Sequence, residues 1–131
     1  MSALAEALIA AQAELPTAIG RDSQGQGYRY TSLDKLIEAT RPIMTKHGIA
    51  IIQAPEYVMV GETLRPSLTT TIMAGDEHES YTTPLYVTDQ TMQGFGAAVT
   101  YARRYAWAAL LGIASEEDTD AATLADDDVP F

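Results

Sequence analysis

The architecture turns on residues 49–87, IAIIQAPEYVMVGETLRPSLTTTIMAGDEHESYTTPLYV. Four stretches in it are rich in β-branched and aromatic residues: Ile49 to Gln53, Tyr57 to Val60, Leu68 to Met73 and Tyr81 to Val87. Such residues suit a pleated, half-buried surface. Gly61-Glu62 and Gly75-Asp76 each mark a tight turn. The pattern predicts a three-stranded antiparallel meander whose first strand is interrupted at Ala54-Pro55. Pro66 and Pro84 fit edges or bulges, because proline cannot donate to a strand ladder.

Helical patterns flank this segment. Ser2 to Leu15 places Leu4, Leu8, Ile9 and Leu15 at roughly helical spacing among alanines, and Pro16 ends the run. After a glycine-punctuated loop, a second helix is predicted from Thr31 or Ser32, either of which can cap it, to a stop at Gly48. Its apolar face is Leu33, Leu36, Ile37, Thr40, Ile43, Met44 and His47. Lys35 and Lys46 lie on the other face, and Pro42 is expected to kink it. A third helix is predicted from Thr91 to Gly112. Its apolar face is Phe95, Ala98, Val99, Ala102, Tyr105, Ala106, Ala109 and Ile113, with Gln93, Thr100, Arg103, Arg104 and Trp107 opposite. The small residues Gly94, Gly96, Ala97 and Ala98 permit close backbone approach. Beyond Ala114 the periodicity stops and acids accumulate, which predicts a flexible tail. The fold class is therefore α+β, with one domain over 1–114 and an acidic tail over 115–131.

A chain of 131 residues has room for one modest core. It has no cysteine, which excludes disulfides, thiolate zinc sites and a cysteine nucleophile. His47 and His78 show no metal-ligand spacing, and no nucleophile elbow, phosphate loop or zincin motif occurs. These features predict no catalytic residue, no metal and no cofactor. No apolar run reaches membrane-span length, and the alanine-rich N-terminus lacks the basic leader of a signal peptide. The default expectation is a cytoplasmic protein.

The net charge of −10 argues, taken whole, against nucleic acid. Its distribution argues otherwise. Seven of the eight basic residues lie in residues 21–47 and 91–113, and the latter segment holds no acid at all. Arg103 and Arg104 therefore need a partner from elsewhere. A phosphate backbone is one, with Trp107 stacking on a base; acids of the sheet are another, with Tyr105 as plain core. Tyr28-Arg29-Tyr30 is open in the same way, as a stacking platform beside a cation or as an ordinary strand start. Lys35 and Lys46 offer a cleaner basic face.

Two segments then resemble a known family. Gly27-Tyr28-Arg29-Tyr30-Thr31-Ser32-Leu33-Asp34, continuing through Arg41-Pro42-Ile43 to Gly48-Ile49, resembles the opening signature of the ERF (essential recombination function) single-strand annealing proteins of phages. Gly96-Ala97-Ala98-Val99-Thr100-Tyr101-Ala102-Arg103-Arg104-Tyr105-Ala106 is similar to that family's Gly-Ser-Ala-x-Thr-Tyr-x-Arg-Arg-Tyr motif, with Ala97 in place of the usual serine. Glu117-Asp118-Thr119-Asp120 follows at the expected place, so the resemblance covers about residues 1–121.

The resemblance implies a β-β-β-α annealing core and assembly into rings or helical filaments. It also implies ATP-independent binding and pairing of complementary single-stranded DNA in phage-type homologous recombination, inside a bacterial host cell. The partners implied are single-stranded DNA, the annealed duplex intermediate and further copies of the chain, with no membrane. The residues expected to line the DNA groove are Arg103, Arg104, Lys35, Lys46, Tyr28, Arg29, Tyr30, Thr100, Tyr101 and Trp107. The sequence is short beside many relatives, which carry a longer C-terminal region, so the resemblance does not extend to a second DNA-binding module. The last residues, Asp126-Asp127-Asp128-Val129-Pro130-Phe131, resemble the acidic tip of bacterial single-stranded-DNA-binding proteins. A terminal Phe with its own carboxylate fits an apolar pocket rimmed by basic residues, which points to docking on host proteins that read that tip. The competing reading is a non-annealing interaction protein whose tail mimics the tip to occupy host repair enzymes.

Overall fold

The computed structural model describes residues 1–25 and 27–116. In chain order these form α1 (Ala3–Glu14), β1 (Ser23–Gly25), β2 (Tyr28–Tyr30), α2 (Leu33–Lys46), β3 (Ile49–Val60), β4 (Thr63–Ala74), β5 (Glu77–Pro84) and α3 (Met92–Leu111). The class is α+β. β3, β4 and β5 make a three-stranded antiparallel sheet with β4 central, and β1–β2 form a separate hairpin.

Both tight turns fall where the glycines stand. β3 meets β4 through Gly61-Glu62, and β4 meets β5 through Gly75-Asp76. Gly61 and Gly75 have φ of 65° and 60°. No residue other than glycine has positive φ among the described residues. A positive first loop residue followed by a negative one is the hairpin pattern that places glycine first.

The expected break at Ala54-Pro55 does not occur. β3 runs unbroken for 12 residues, and Pro55 lies opposite Leu68. β3 is an edge strand, so its free edge tolerates a residue without an N–H. Pro84 is the last residue of β5, and Pro66 lies one residue beyond the last β4–β5 pair, Ser67–Pro84. From there to the Gly61-Glu62 turn the sheet is a two-stranded ribbon.

Strand alternation sends one face to the core. Leu68, Thr70, Ile72 and Ala74 of β4 are buried, as is Ile49 of β3. Ile52, on the opposite face, is 54% exposed. The larger apolar cluster joins Leu4 and Ala11 of α1, Leu36 and Met44 of α2, Ile49, Ile72 and Ala74 of the sheet, and Trp107, Ala108 and Leu111 of α3. A smaller cluster, Leu68, Leu85 and Ala102, seats the first half of α3, with Phe95, Val99 and Ala106 packed against it.

α1 starts at Ser2, whose hydroxyl accepts the Ala5 N–H at 3.1 Å. α2 starts after Ser32, whose hydroxyl makes no cap; its N–H is instead bonded to Asp22 Oδ1 at 2.9 Å. α2 continues through Pro42 and buries Leu36, Thr40 and Met44, the face expected from spacing. α3 is capped by Thr91, which accepts the Gly94 N–H at 3.0 Å. It ends at Gly112, with φ of 75°, where the Ile113 N–H reaches Ala108 O at 2.9 Å. That bond across a left-handed glycine terminates the helix and turns the chain back along it.

The expected face of α3 holds for its first half and not for its second. Arg104, Trp107, Ala108 and Leu111 are buried, whereas Tyr105 and Ala109 are exposed. The first half meets the sheet and the loop that follows β5. The second half is also covered by α2 and by the loop before β1, so residues opposite the sheet are buried too. Ser115 and Glu116, assigned by sequence to the tail, belong to the packed body. Ser115 is 6% exposed, and Glu116 pairs with Tyr30. Among the described residues no helix is long and apolar enough to cross a membrane.

Candidate nucleic-acid interface

The two signature segments, some 70 residues apart in sequence, meet at Arg104. Its guanidinium carbon lies 4.2 Å from the centroid of the Tyr30 ring, 5.3 Å from that of Tyr101 and 5.2 Å from that of Tyr105. The Tyr101 and Tyr105 rings are 4.7 Å apart and tilted by 44°. Tyr101, Arg104 and Tyr105 stand three and four residues apart on α3, so one helix face presents them together. Arg104 Nη1 donates to Glu116 Oε1 at 2.6 Å, and Tyr105 Oη donates to Glu116 Oε2 at 2.6 Å. Burial pushes the Tyr105 phenol well up, and its bond to the Glu116 carboxylate adds to the shift. Tyr105 is therefore a neutral donor throughout the physiological range.

Glu116 is brought there by the turn at Gly112 and by a short strap. The Ala114 N–H donates to Thr17 O at 2.8 Å, and the Thr31 N–H to Ser115 O at 2.8 Å. Arg21 Nη2 donates to the Glu116 carbonyl at 3.1 Å. Thr31, fully buried, donates its hydroxyl to Ile19 O at 2.9 Å. Glu116 therefore lies beside both signatures.

Arg103 has a different environment from its neighbour. It is half-buried and donates from Nε to Gln53 Oε1 at 3.3 Å. Gln53 Nε2 in turn donates to the Arg103 carbonyl and to Thr70 Oγ1, both at 3.1 Å. This glutamine fixes α3 on the sheet and holds the stem of Arg103. Among the described residues Arg103 makes no ion pair. Neither arginine pairs with an acid of the sheet.

The remaining expected residues are distributed unevenly. Thr100 and Tyr101 are exposed on α3. Arg29 is exposed in β2, opposite Gln24, and Tyr28 lies opposite Gly25. Lys35 is exposed in the first turn of α2 near Asp22. The Ser32 N–H and hydroxyl hold the Asp22 carboxyl below its ordinary range. Lys46 does not join this group. It lies 11 residues further along α2, about 16 Å at helical rise, and its ammonium is bonded to Glu14 Oε1 at 2.9 Å. His47 holds the other oxygen of the same carboxylate, so this end of α2 is clamped to α1.

Trp107 corrects the sequence reading most clearly. It is 3% exposed, and its indole Nε1 donates to Thr40 Oγ1 at 2.9 Å. It cannot stack on a base from that position. Arg104, at 5% exposure, is likewise enclosed rather than displayed. Spacing around Arg104 gave no signal for Glu116, Gln53 or Thr40, because each comes from a different element. Asp126, Asp127, Asp128, Val129, Pro130 and Phe131 lie outside the described residues.

The model of the ERF superfamily matches residues 4–127. The chain belongs to the ERF superfamily. The match spans both signatures, the sheet between them and the strap that carries Glu116. ERF membership suggests phage-type single-strand annealing, and annealing proteins of this kind are generally non-enzymatic. No curated protein and no solved structure matches the chain.

Proposed function

We propose that this ERF protein binds single-stranded DNA and anneals complementary strands without ATP, as a step of phage-type homologous recombination in a bacterial cell. The observation that carries the reading is the junction of the two family signatures at the Arg104 cage, where Tyr30 meets α3; we take the two basic segments beside it to form one binding surface. On this surface Arg103, Arg29 and Lys35 are the phosphate contacts. Tyr101, Thr100 and Tyr30 flank the path of the strand, Tyr28 is assigned to it from its signature alone, and Arg104 anchors the cage between them. Tyrosines interleaved with cations suit bases and backbone at once, without sequence preference. The overall negative charge is no obstacle, because six of the 18 acids follow Glu116 and leave the body far less negative.

The same reading has copies associating, since one chain offers a short path and annealing needs many bases held in register. The two-stranded end of the sheet supports this. Tyr57, Met59, Val60 and Leu64 there are each more than half exposed, and Tyr57, Val60 and Leu64 line a cleft of about 1120 Å³ that also takes in Tyr86, Met92 and Phe95. The terminal Asp126 to Phe131 segment is proposed to dock on host proteins that read the single-stranded-DNA-binding protein tip.

Titration of a labelled oligothymidylate at several salt concentrations tests the binding. Each phosphate contact removed should lower the slope of log affinity against log salt by about 0.7. Arg103→Ala should weaken binding and flatten that slope while the fold persists. Wild-type affinity and slope in that variant would discard the assigned surface.

A further inference from the structure

We propose that the Glu116 carboxylate occupies a phosphate site of this surface, and that a backbone phosphate of a bound strand takes its place. The proposal rests on the annealing reading above and adds a binding site and its regulation.

The site is a built oxyanion site. Arg104 Nη1 and Tyr105 Oη converge on the two carboxylate oxygens at 2.6 Å each. Three tyrosine rings hold the guanidinium in one orientation. A planar guanidinium beside a neutral phenol donor meets a phosphodiester as readily as a carboxylate, since both offer two oxygens to a fork of donors. The occupant is the more exposed member. The side chain of Glu116 is 21% exposed and that of Arg104 is 6% exposed, so the carboxylate is the member of the pair that solvent reaches more. Ser115, one residue earlier, is buried and bonded to Thr31, and Arg21 holds the Glu116 carbonyl, so the exchange need move only the Glu116 side chain. Strand binding and the Glu116 contact are therefore alternatives at one site. A ligand that binds only the open state is weakened by the population of the closed one.

The test uses the full chain and fluorescein-labelled oligothymidylate. Glu116→Gln removes the competing charge and keeps the shape. At about 50 mM salt it should bind the oligonucleotide about tenfold more tightly than wild type, a coupling of ordinary size. The difference should shrink as salt rises. Without DNA the variant should melt at a lower temperature, because its buried guanidinium lacks a counter-charge. The oligonucleotide should then raise its melting temperature by more than it raises that of wild type. Affinity equal to or weaker than wild type, with no extra recovery, would overturn the proposal and leave Glu116 as a structural ion-pair partner.

A second measurement needs no variant. Carbodiimide-driven amidation of Glu116 in the wild-type protein should increase when the oligonucleotide saturates it. Unchanged or reduced labelling would also overturn the exchange. Wild-type protein that binds the oligonucleotide while Glu116 stays in place defeats this proposal alone. Wild-type protein that binds no oligonucleotide defeats the annealing reading and this proposal with it.

Discussion

Thr40→Val isolates the bond that makes Trp107 a core residue. Thr40 is fully buried, accepts the Trp107 indole N–H at 2.9 Å and donates to Leu36 O at 2.8 Å. Valine keeps the volume and removes the oxygen. The Leu36 carbonyl retains its ordinary helical partner, so the group left orphaned is the indole N–H, in a residue 3% exposed. An unsatisfied buried donor costs about 1–3 kcal/mol. For a domain of this size that lowers the melting temperature by roughly 4 °C per kcal/mol. Thermal and urea unfolding read the loss. In a Trp107→Phe background no donor remains, so adding Thr40→Val should cost much less, and the cycle should return a coupling of about 1–3 kcal/mol. Oligonucleotide affinity, measured well below the melting transition, should be unchanged in Thr40→Val. A Thr40→Val variant as stable as wild type would refute the reasoning. So would a fully folded Trp107→Phe variant that has lost DNA binding, since Trp107 would then be a stacking residue after all.

The adjacent arginines should separate by phenotype. Arg104→Ala leaves Glu116 without its partner and should cost about 3–5 kcal/mol of stability together with DNA affinity, whereas Arg103→Ala should lose DNA affinity with little change in unfolding midpoint. Gly94 and Gly96 should separate as well. A Cβ at Gly94 would stand 2.1 Å from the Asp89 carbonyl oxygen, while one at Gly96 meets nothing within 4 Å. Gly94→Ala should therefore destabilise, and Gly96→Ala should stabilise by about 0.5–1 kcal/mol, both read by unfolding midpoints. The bonds from Lys46 and then His47 hold the Glu14 carboxyl below its ordinary value of 4.5. A depressed folded value gives stability that is present above 4.5 and lost as pH falls through the lower folded value. Acid unfolding of Glu14→Gln should lack that component, and identical acid profiles would show that the clamp contributes nothing.

Legibility in the sequence followed the range of the interaction. Both β-turns were readable because a glycine at the first loop position is a local requirement, visible at Gly61 and Gly75 without knowledge of the rest. The face of α2 was readable because that helix is amphipathic around a single core. Pro55 misled because its tolerance depends on β3 lying at an edge, which is a property of the whole sheet. α3 misled for a related reason. A helix covered on one side obeys its periodicity, but the second half of α3 is enclosed by α2 and the strap, so Arg104 and Trp107 are buried on the side that spacing assigns to solvent. At the interface, the two signatures could be recognised separately. Their junction could not, because Glu116 reaches Arg104 only after Gly112 reverses the chain, and Gln53 reaches Arg103 from a strand 50 residues earlier.

The central claim is annealing, and duplex formation measures it. Two complementary labelled oligonucleotides, mixed with the protein in the absence of any nucleotide, should form duplex several-fold faster than they do alone. Non-complementary strands should be bound without product, and Arg103→Ala should lose most of the acceleration while remaining folded. A wild-type protein that binds single strands yet leaves the rate of duplex formation at its spontaneous value would contradict the account.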